Sequence, residues 1–121
     1  MGIWIFNQRA DSSYDDVEGQ AYSYPKYLAN ARRVEPSDLF VYYRPKKGHD
    51  VGGCFYGAGR VESLEREGDM VKAHLVDYVE LSRVIPEAEL STLPRNNQQN
   101  SINRLSPVLF FEILRRGGLT P

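Results

Sequence analysis

Two aromatic, β-branched runs flanking a basic turn, from Asp38 to Val61 (DLFVYYRPKKGHDVGGCFYGAGRV), constrain this chain most. Phe40, Val41, Tyr42, Tyr43, Phe55 and Tyr56 suit a pleated, half-buried surface, so the two runs read as strands. Pro45, Gly48, Gly52 and Gly53 punctuate the turn between them. Arg44, Lys46, Lys47 and His49 place cations at the sheet end that carries Tyr42, Tyr43 and Phe55. Rings beside a cationic loop are a means of gripping a base and its phosphates together.

The rest of the chain supplies the partners of these strands. Ile3–Asn7 (IWIFN) is an apolar run suited to a buried first strand, with Trp4 facing opposite to Ile3 and Ile5 as core wall. Residues 10–25 are polar and irregular, and they read as a long tyrosine-bearing loop containing Tyr14, Tyr22 and Tyr24. Tyr27–Arg33 predicts a short helix or turn. After the third strand, Cys54 to about Leu64, a charged connection leads to Met70–Tyr78. There Val71, Ala73, Leu75 and Asp77 alternate with Lys72, His74, Val76 and Tyr78, which predicts a strand with one polar face. Val79–Ile85 reads as a further strand after a bend, and Pro86–Leu90 as a short helix with proline in its first turn. The amide-rich segment from Arg95 to Arg104 shows no apolar period. Ser106–Pro107 caps a last helix that Gly117–Gly118 ends after Arg115 and Arg116, with Phe110 and Phe111, like Phe40, read as core. The sum is one α+β domain over residues 1–121: five or six mostly antiparallel strands curling into a small mixed barrel, with short flanking helices.

Composition narrows the function classes. A chain of 121 residues with 41% hydrophobic and 26% charged residues buries a core without metals or disulfides. The single Cys54 excludes a disulfide framework and a multi-cysteine zinc site, fits a reducing cytoplasm, and reads as a buried inert thiol between Gly53 and Phe55. Nothing resembles a signal peptide or a membrane span. Fifteen basic against sixteen acidic residues, evenly spread, argue against a non-specific duplex binder working through the backbone alone. They leave room for a base-specific pocket with a local basic patch.

No catalytic pattern emerges. His49 and His74 are far apart, Asp15 and Asp16 point apart in an extended chain, and Gly57-Ala58-Gly59 lacks the helix that a nucleotide loop requires. No metal or cofactor is implied, and an enzyme is not expected. The aromatic residues (eight Tyr, five Phe and one Trp) are the stronger signal, since a tyrosine offers a π-face for stacking and a hydroxyl for orientation. Asn7, Tyr22, Tyr24, Tyr43 and Arg44 are the candidate base pocket, and Lys46 and Lys47 the candidate phosphate contacts. Asn96, Asn97 and Gln98 are candidate polar readers, because an amide presents donor and acceptor side by side.

Several phrases taken in order resemble PUA-like, EVE-related domains, in particular those at the N-termini of HNH-type and other modification-dependent restriction endonucleases. They are Ile3-Trp4-Ile5-Phe6-Asn7, Ser37 to Arg44, Phe55-Tyr56-Gly57-Ala58-Gly59-Arg60-Val61, Ala73 to Tyr78, Asn97 to Ser106 and the final helix. The resemblance implies a pseudobarrel whose pocket accepts a flipped-out, often modified base, with Asn7, Tyr43 and Arg44 at the matching strand ends. It implies nucleic acid as partner, DNA before RNA, with a nuclease or methyltransferase as partner enzyme and any cleavage left to a separate domain or partner, since no nuclease motif is present. Two other readings stay open: a small-molecule or nucleotide-binding regulatory domain, and a protein-interaction domain.

Overall fold

The computed structural model describes residues 2–8, 17–28, 30–44, 53–90 and 102–119. These residues form a six-stranded mixed sheet: β1 Ile3–Asn7, β2 Ala21–Pro25, β3 Leu39–Arg44, β4 Cys54–Glu67, β5 Met70–Pro86 and β6 Ile102–Arg104. Two short 3-10 turns, Ala31–Arg33 and Glu87–Glu89, and helix α1, Pro107–Arg116, complete the fold. The strand order is β2-β5-β4-β3-β1-β6, and only β1 and β3 run parallel. A parallel pair needs a crossover, and β2 with the first 3-10 turn supplies it. This is the small α+β pseudobarrel that the strand pattern and the PUA-like resemblance predict.

The sheet curls until side chains, rather than a ladder, tie the β2 side to the β1–β6 side. Tyr22 Oη on β2 donates to the Asn7 carbonyl on β1 at 2.7 Å, and Asn30 Nδ2, beside the 3-10 turn, donates to the Ile102 carbonyl on β6 at 3.1 Å. Strand alternation sorts the core to two faces. Trp4, Phe6, Phe40, Tyr42, Tyr56, Tyr22 and Tyr24 fill the inside of the curl, with Val61, Val71, Ala73 and Leu75. Ile3, Ile5, Val41, Tyr43, Phe55 and Ala58 face outward and are covered by Phe110 and Ile113 of α1, with Leu81, Ile85, Leu90 and Leu105. Each valine, leucine, isoleucine or phenylalanine among them contributes about 1.5–3 kcal/mol on burial.

One buried carboxylate fixes the start of the curl. Asp38, 1% exposed, accepts from Gly2 N and Trp4 Nε1 at 2.9 Å and from Glu35 N at 2.8 Å. Trp4 is therefore core wall, as its alternation predicts. Helix α1 begins as expected, with Ser106 Oγ accepting from Leu109 N at 3.2 Å and Pro107 in the first turn.

Four expectations are corrected. Residues 21–25 form β2 rather than loop, because pairing with Met70–His74 satisfies a backbone that its polar composition does not mark as strand. Ile102–Arg104 forms β6 out of the amide-rich segment by pairing with Trp4–Phe6. Met70–Pro86 is one long strand, whose register against β4 shifts between Val61 and Ser63, Ala58 and Arg60, and Phe55 and Gly57. Asp77 takes φ 56 inside it, and past that kink Tyr78 turns into the curl instead of sharing the face of Lys72 and His74. Phe111 is 54% exposed, one position past the face on which Phe110 and Ile113 pack.

Candidate functional site at the loop end of the curl

The C-terminal ends of β1 and β3 and the start of β4 meet at one mouth of the curl. A column of rings lies there on the inner face. Tyr42 and Tyr56 stack with centroids 5.5 Å apart and planes 9° apart, and Arg44 closes the column with its guanidinium carbon 4.3 Å from the Tyr56 centroid. Tyr78 meets Tyr42 edge-on at 5.5 Å, and on the other flank Phe6 stacks on Tyr22 at 4.4 Å.

Backbone compactness makes this arrangement possible. A Cβ on Gly57 would stand 2.4 Å from Tyr78 Oη, and one on Gly19 would stand 2.7 Å from the Tyr78 ring, so both glycines are the space that Tyr78 occupies. Gly19 N also donates to Tyr42 Oη at 3.0 Å, tying the turn before β2 to the column. Gly57 lies inside β4, so Gly57-Ala58-Gly59 is a packing device of the sheet rather than a nucleotide loop.

The electrostatics are those of buried hydroxyls. Burial, reinforced by the Glu18 carboxylate, holds the hydroxyls of Tyr56 and Tyr78 far above the ordinary tyrosine range. They act as neutral donors throughout the physiological range. Tyr56 Oη, Tyr78 Oη and Arg44 Nε are buried and have no hydrogen-bond partner among the described residues. Unpaired buried donors cost about 1–3 kcal/mol each, so a group that accepts from them recovers that free energy.

The sequence-predicted residues divide. Asn7, Tyr22 and Arg44 lie together at this mouth, with Asn7 and Tyr22 buried and Arg44 half-buried. Tyr24 is fully buried on the same inner face but farther along β2, beside Val71. Tyr43 stands across the sheet, because adjacent residues of a strand face opposite ways. Its ring packs on Phe55 at 5.0 Å, and its hydroxyl donates to Glu87 Oε2. Glu87 N in turn donates to the Gly53 carbonyl at 2.7 Å, and Gly53 N to the Arg44 carbonyl at 2.6 Å, so Tyr43 anchors the strand ends from behind the mouth. Lys46, Lys47, Asn96, Asn97, Gln98, His49 and Tyr14 lie outside the described residues. Sequence reasoning left Tyr42, Tyr56 and Tyr78 out of the site. Tyr42 and Tyr56 share a face only because β4 carries an extra residue opposite Tyr42–Tyr43, a bulge that no local signal announces.

Cys54 is buried and its thiol is pushed up by burial against the lowering influence of Arg44. His74 Nε2 meets Glu65 Oε1 at 3.0 Å on the exposed outer surface. Among the described residues, no three His, Cys, Asp or Glu side chains gather as a metal site, and no helix is long and apolar enough to cross a membrane.

No protein-family model matches the sequence, and no curated protein matches it. Solved structures do. The N-terminal domain of McrB from Staphylothermus marinus is similar with a TM-score of 0.72 and 8% identity, covering 94% of this chain and 93% of that one. Rpa0253 from Rhodopseudomonas palustris is similar with a TM-score of 0.67 and 12% identity, covering 100% of this chain and 96% of that one. The chain thus shares, over nearly its whole length, the fold of the N-terminal domain of McrB.

Proposed function

We propose that this domain is a non-catalytic nucleic-acid-binding module that reads a base, a modified and flipped-out one, at the loop end of the curl, as the reader of a restriction or defence system. The observation that carries the reading is the Arg44–Tyr56–Tyr42 column, with buried donors at its tip and no hydrogen-bond partner for Arg44 Nε, Tyr56 Oη or Tyr78 Oη among the described residues. Stacking on the outer face of the Arg44 guanidinium helps repay the unstacking of a flipped base, and neutral hydroxyls with the guanidinium read its acceptor edge. The fold shared with the N-terminal domain of McrB supports the same reading. Asn7 and Tyr22 line this pocket, Tyr43 holds its rear wall, and Lys46 and Lys47 contact phosphates. Asn96, Asn97 and Gln98 contribute polar readout. Nucleic acid is the partner, DNA before RNA, with a nuclease or methyltransferase as partner enzyme in the cytoplasm and cleavage on a separate domain or partner.

Titration of the wild-type chain against matched modified and unmodified DNA and RNA tests this. The expected result is tighter binding of one modified form, with Lys46→Ala and Lys47→Ala weakening all forms equally and reducing the salt slope. Absence of binding to every form overturns the reading. The net charge of −1 favours a second reading, a nucleotide-binding regulatory domain using the same pocket. Its affinity would respond only weakly to salt.

A further inference from the structure

The curl has a second mouth, at the other end of β4, where the β4–β5 hairpin turns and β2 leaves through Pro25. A depression of about 460 Å³ opens there, within the range of small-ligand sites. Ala31 and Val71, both buried, form its floor, and Lys26, Arg32 and Arg66 surround it. Tyr27 stands at the rim, 77% exposed. Sheet register explains the arrangement. Tyr24 pairs with Val71 and Val71 with Arg66, and directly opposed residues of antiparallel strands share a face. Arg66 therefore stands on the inner face in the row of Tyr24 and Val71, at the mouth. Behind it, Tyr24 Oη is buried without a hydrogen-bond partner among the described residues.

Among the described residues, two of the three cations here have no carboxylate partner. Arg60, Arg83, Arg115 and Arg116 are each held by a carboxylate. Arg32 and Arg66 have no such partner among the described residues. Lys26 meets Asp69 at 3.6 Å, but both groups are solvent-exposed, so the pair is weak. A guanidinium offers forked donors to phosphate oxygens, and an exposed tyrosine offers a free face to a planar ring.

From this geometry we infer that the second mouth binds a nucleotide unit, with Arg32 and Arg66 on its phosphate, Lys26 beside them and Tyr27 against its base. This site shares no residue with the loop-end pocket and stands whether or not that pocket takes a base. The same chemistry is offered by a free nucleotide and by a single strand crossing the mouth.

Nitrogen–proton correlation spectra of the whole chain, recorded during titration with inorganic phosphate, a nucleoside monophosphate and a single-stranded oligonucleotide, separate the outcomes. Saturable shifts at Tyr27, Arg32 and Arg66 are expected with the oligonucleotide, or with both it and the monophosphate. The first pattern assigns the site to a strand and the second to free nucleotides as well. In the Arg32→Gln/Arg66→Gln double variant, affinity should fall at least about 10-fold, and the salt slope for the oligonucleotide should shrink by about 1.4, at about 0.7 per cation for single strands. Tyr27→Ala should weaken binding about 5-fold or more, the loss of one stacked base. These side chains are exposed, and an unchanged dispersion of core signals confirms that the variants fold. The inference is overturned if neither nucleotide ligand saturates these signals, if the double variant binds as the wild type does, or if inorganic phosphate matches the monophosphate in affinity and Tyr27→Ala changes nothing.

Discussion

The Arg44 guanidinium lies over the ring of Tyr56, 4.3 Å from its centroid, and so forms the outer layer of the column at the loop-end mouth. A contact of this kind is worth about 0.5–1 kcal/mol at a partly exposed site. Arg44→Lys keeps the charge and loses the planar layer. Its unfolding free energy in urea should stay within about 1 kcal/mol of the wild type, while affinity for the preferred oligonucleotide falls about 10-fold or more. Loss of stability without loss of binding would assign Arg44 to the scaffold.

Gly57 leaves the space that Tyr78 Oη fills. Gly57→Ala forces that ring out of the column at a cost of about 1–3 kcal/mol from overpacking. Denaturant unfolding should show the loss. The Gly57→Ala/Tyr78→Ala double variant, which removes the clashing ring, should cost less than the sum of the two single changes.

Asp38 gathers the Gly2 and Glu35 amides and the Trp4 indole around one buried carboxylate. Asp38→Ala strands these donors and should destabilise the fold by about 3 kcal/mol or more, at about 1–3 kcal/mol for each unsatisfied group. Asp38→Asn keeps an acceptor and should cost less. Chemical denaturation of the two variants checks the order.

Buried tyrosines make the domain sensitive to alkali. Burial raises Tyr24 to about 12 from its ordinary value of 10.0, and it raises Tyr43, Tyr56 and Tyr78 further. The unfolded chain releases these protons first, so the stability they confer is complete below pH 10 and falls as pH climbs toward 12 and beyond. Each held proton contributes a slope of about 1.4 kcal/mol per pH unit. Phenolate absorbance should therefore appear cooperatively with unfolding, rather than as a gradual titration of the folded protein.

Local pattern was enough for β1, β3, β4 and α1, whose aromatic runs, alternation and caps lie in contiguous residues. It was not enough for β2 and β6, where Tyr22-Ser23-Tyr24 and Ile102-Asn103-Arg104 become strands through distant pairing partners. The same limit applied to the site. Adjacent Tyr42 and Tyr43 must face opposite ways in a strand, yet which of them faces the curl depends on the whole sheet. Tyr78 reaches the column only because Asp77 adopts a left-handed conformation, which its place in an alternating run conceals.

The central claim is that the loop-end column receives an extruded base, and the emission of a fluorescent base analogue placed at the target position tests it most directly. Stacking quenches such an analogue. The account predicts a saturable change in its environment, with emission rising on binding of the wild-type chain and restored quenching when Arg44→Ala replaces it. Tight binding by the wild-type chain with the analogue still quenched as in the free duplex would contradict the account, because the base would then be read inside the stack.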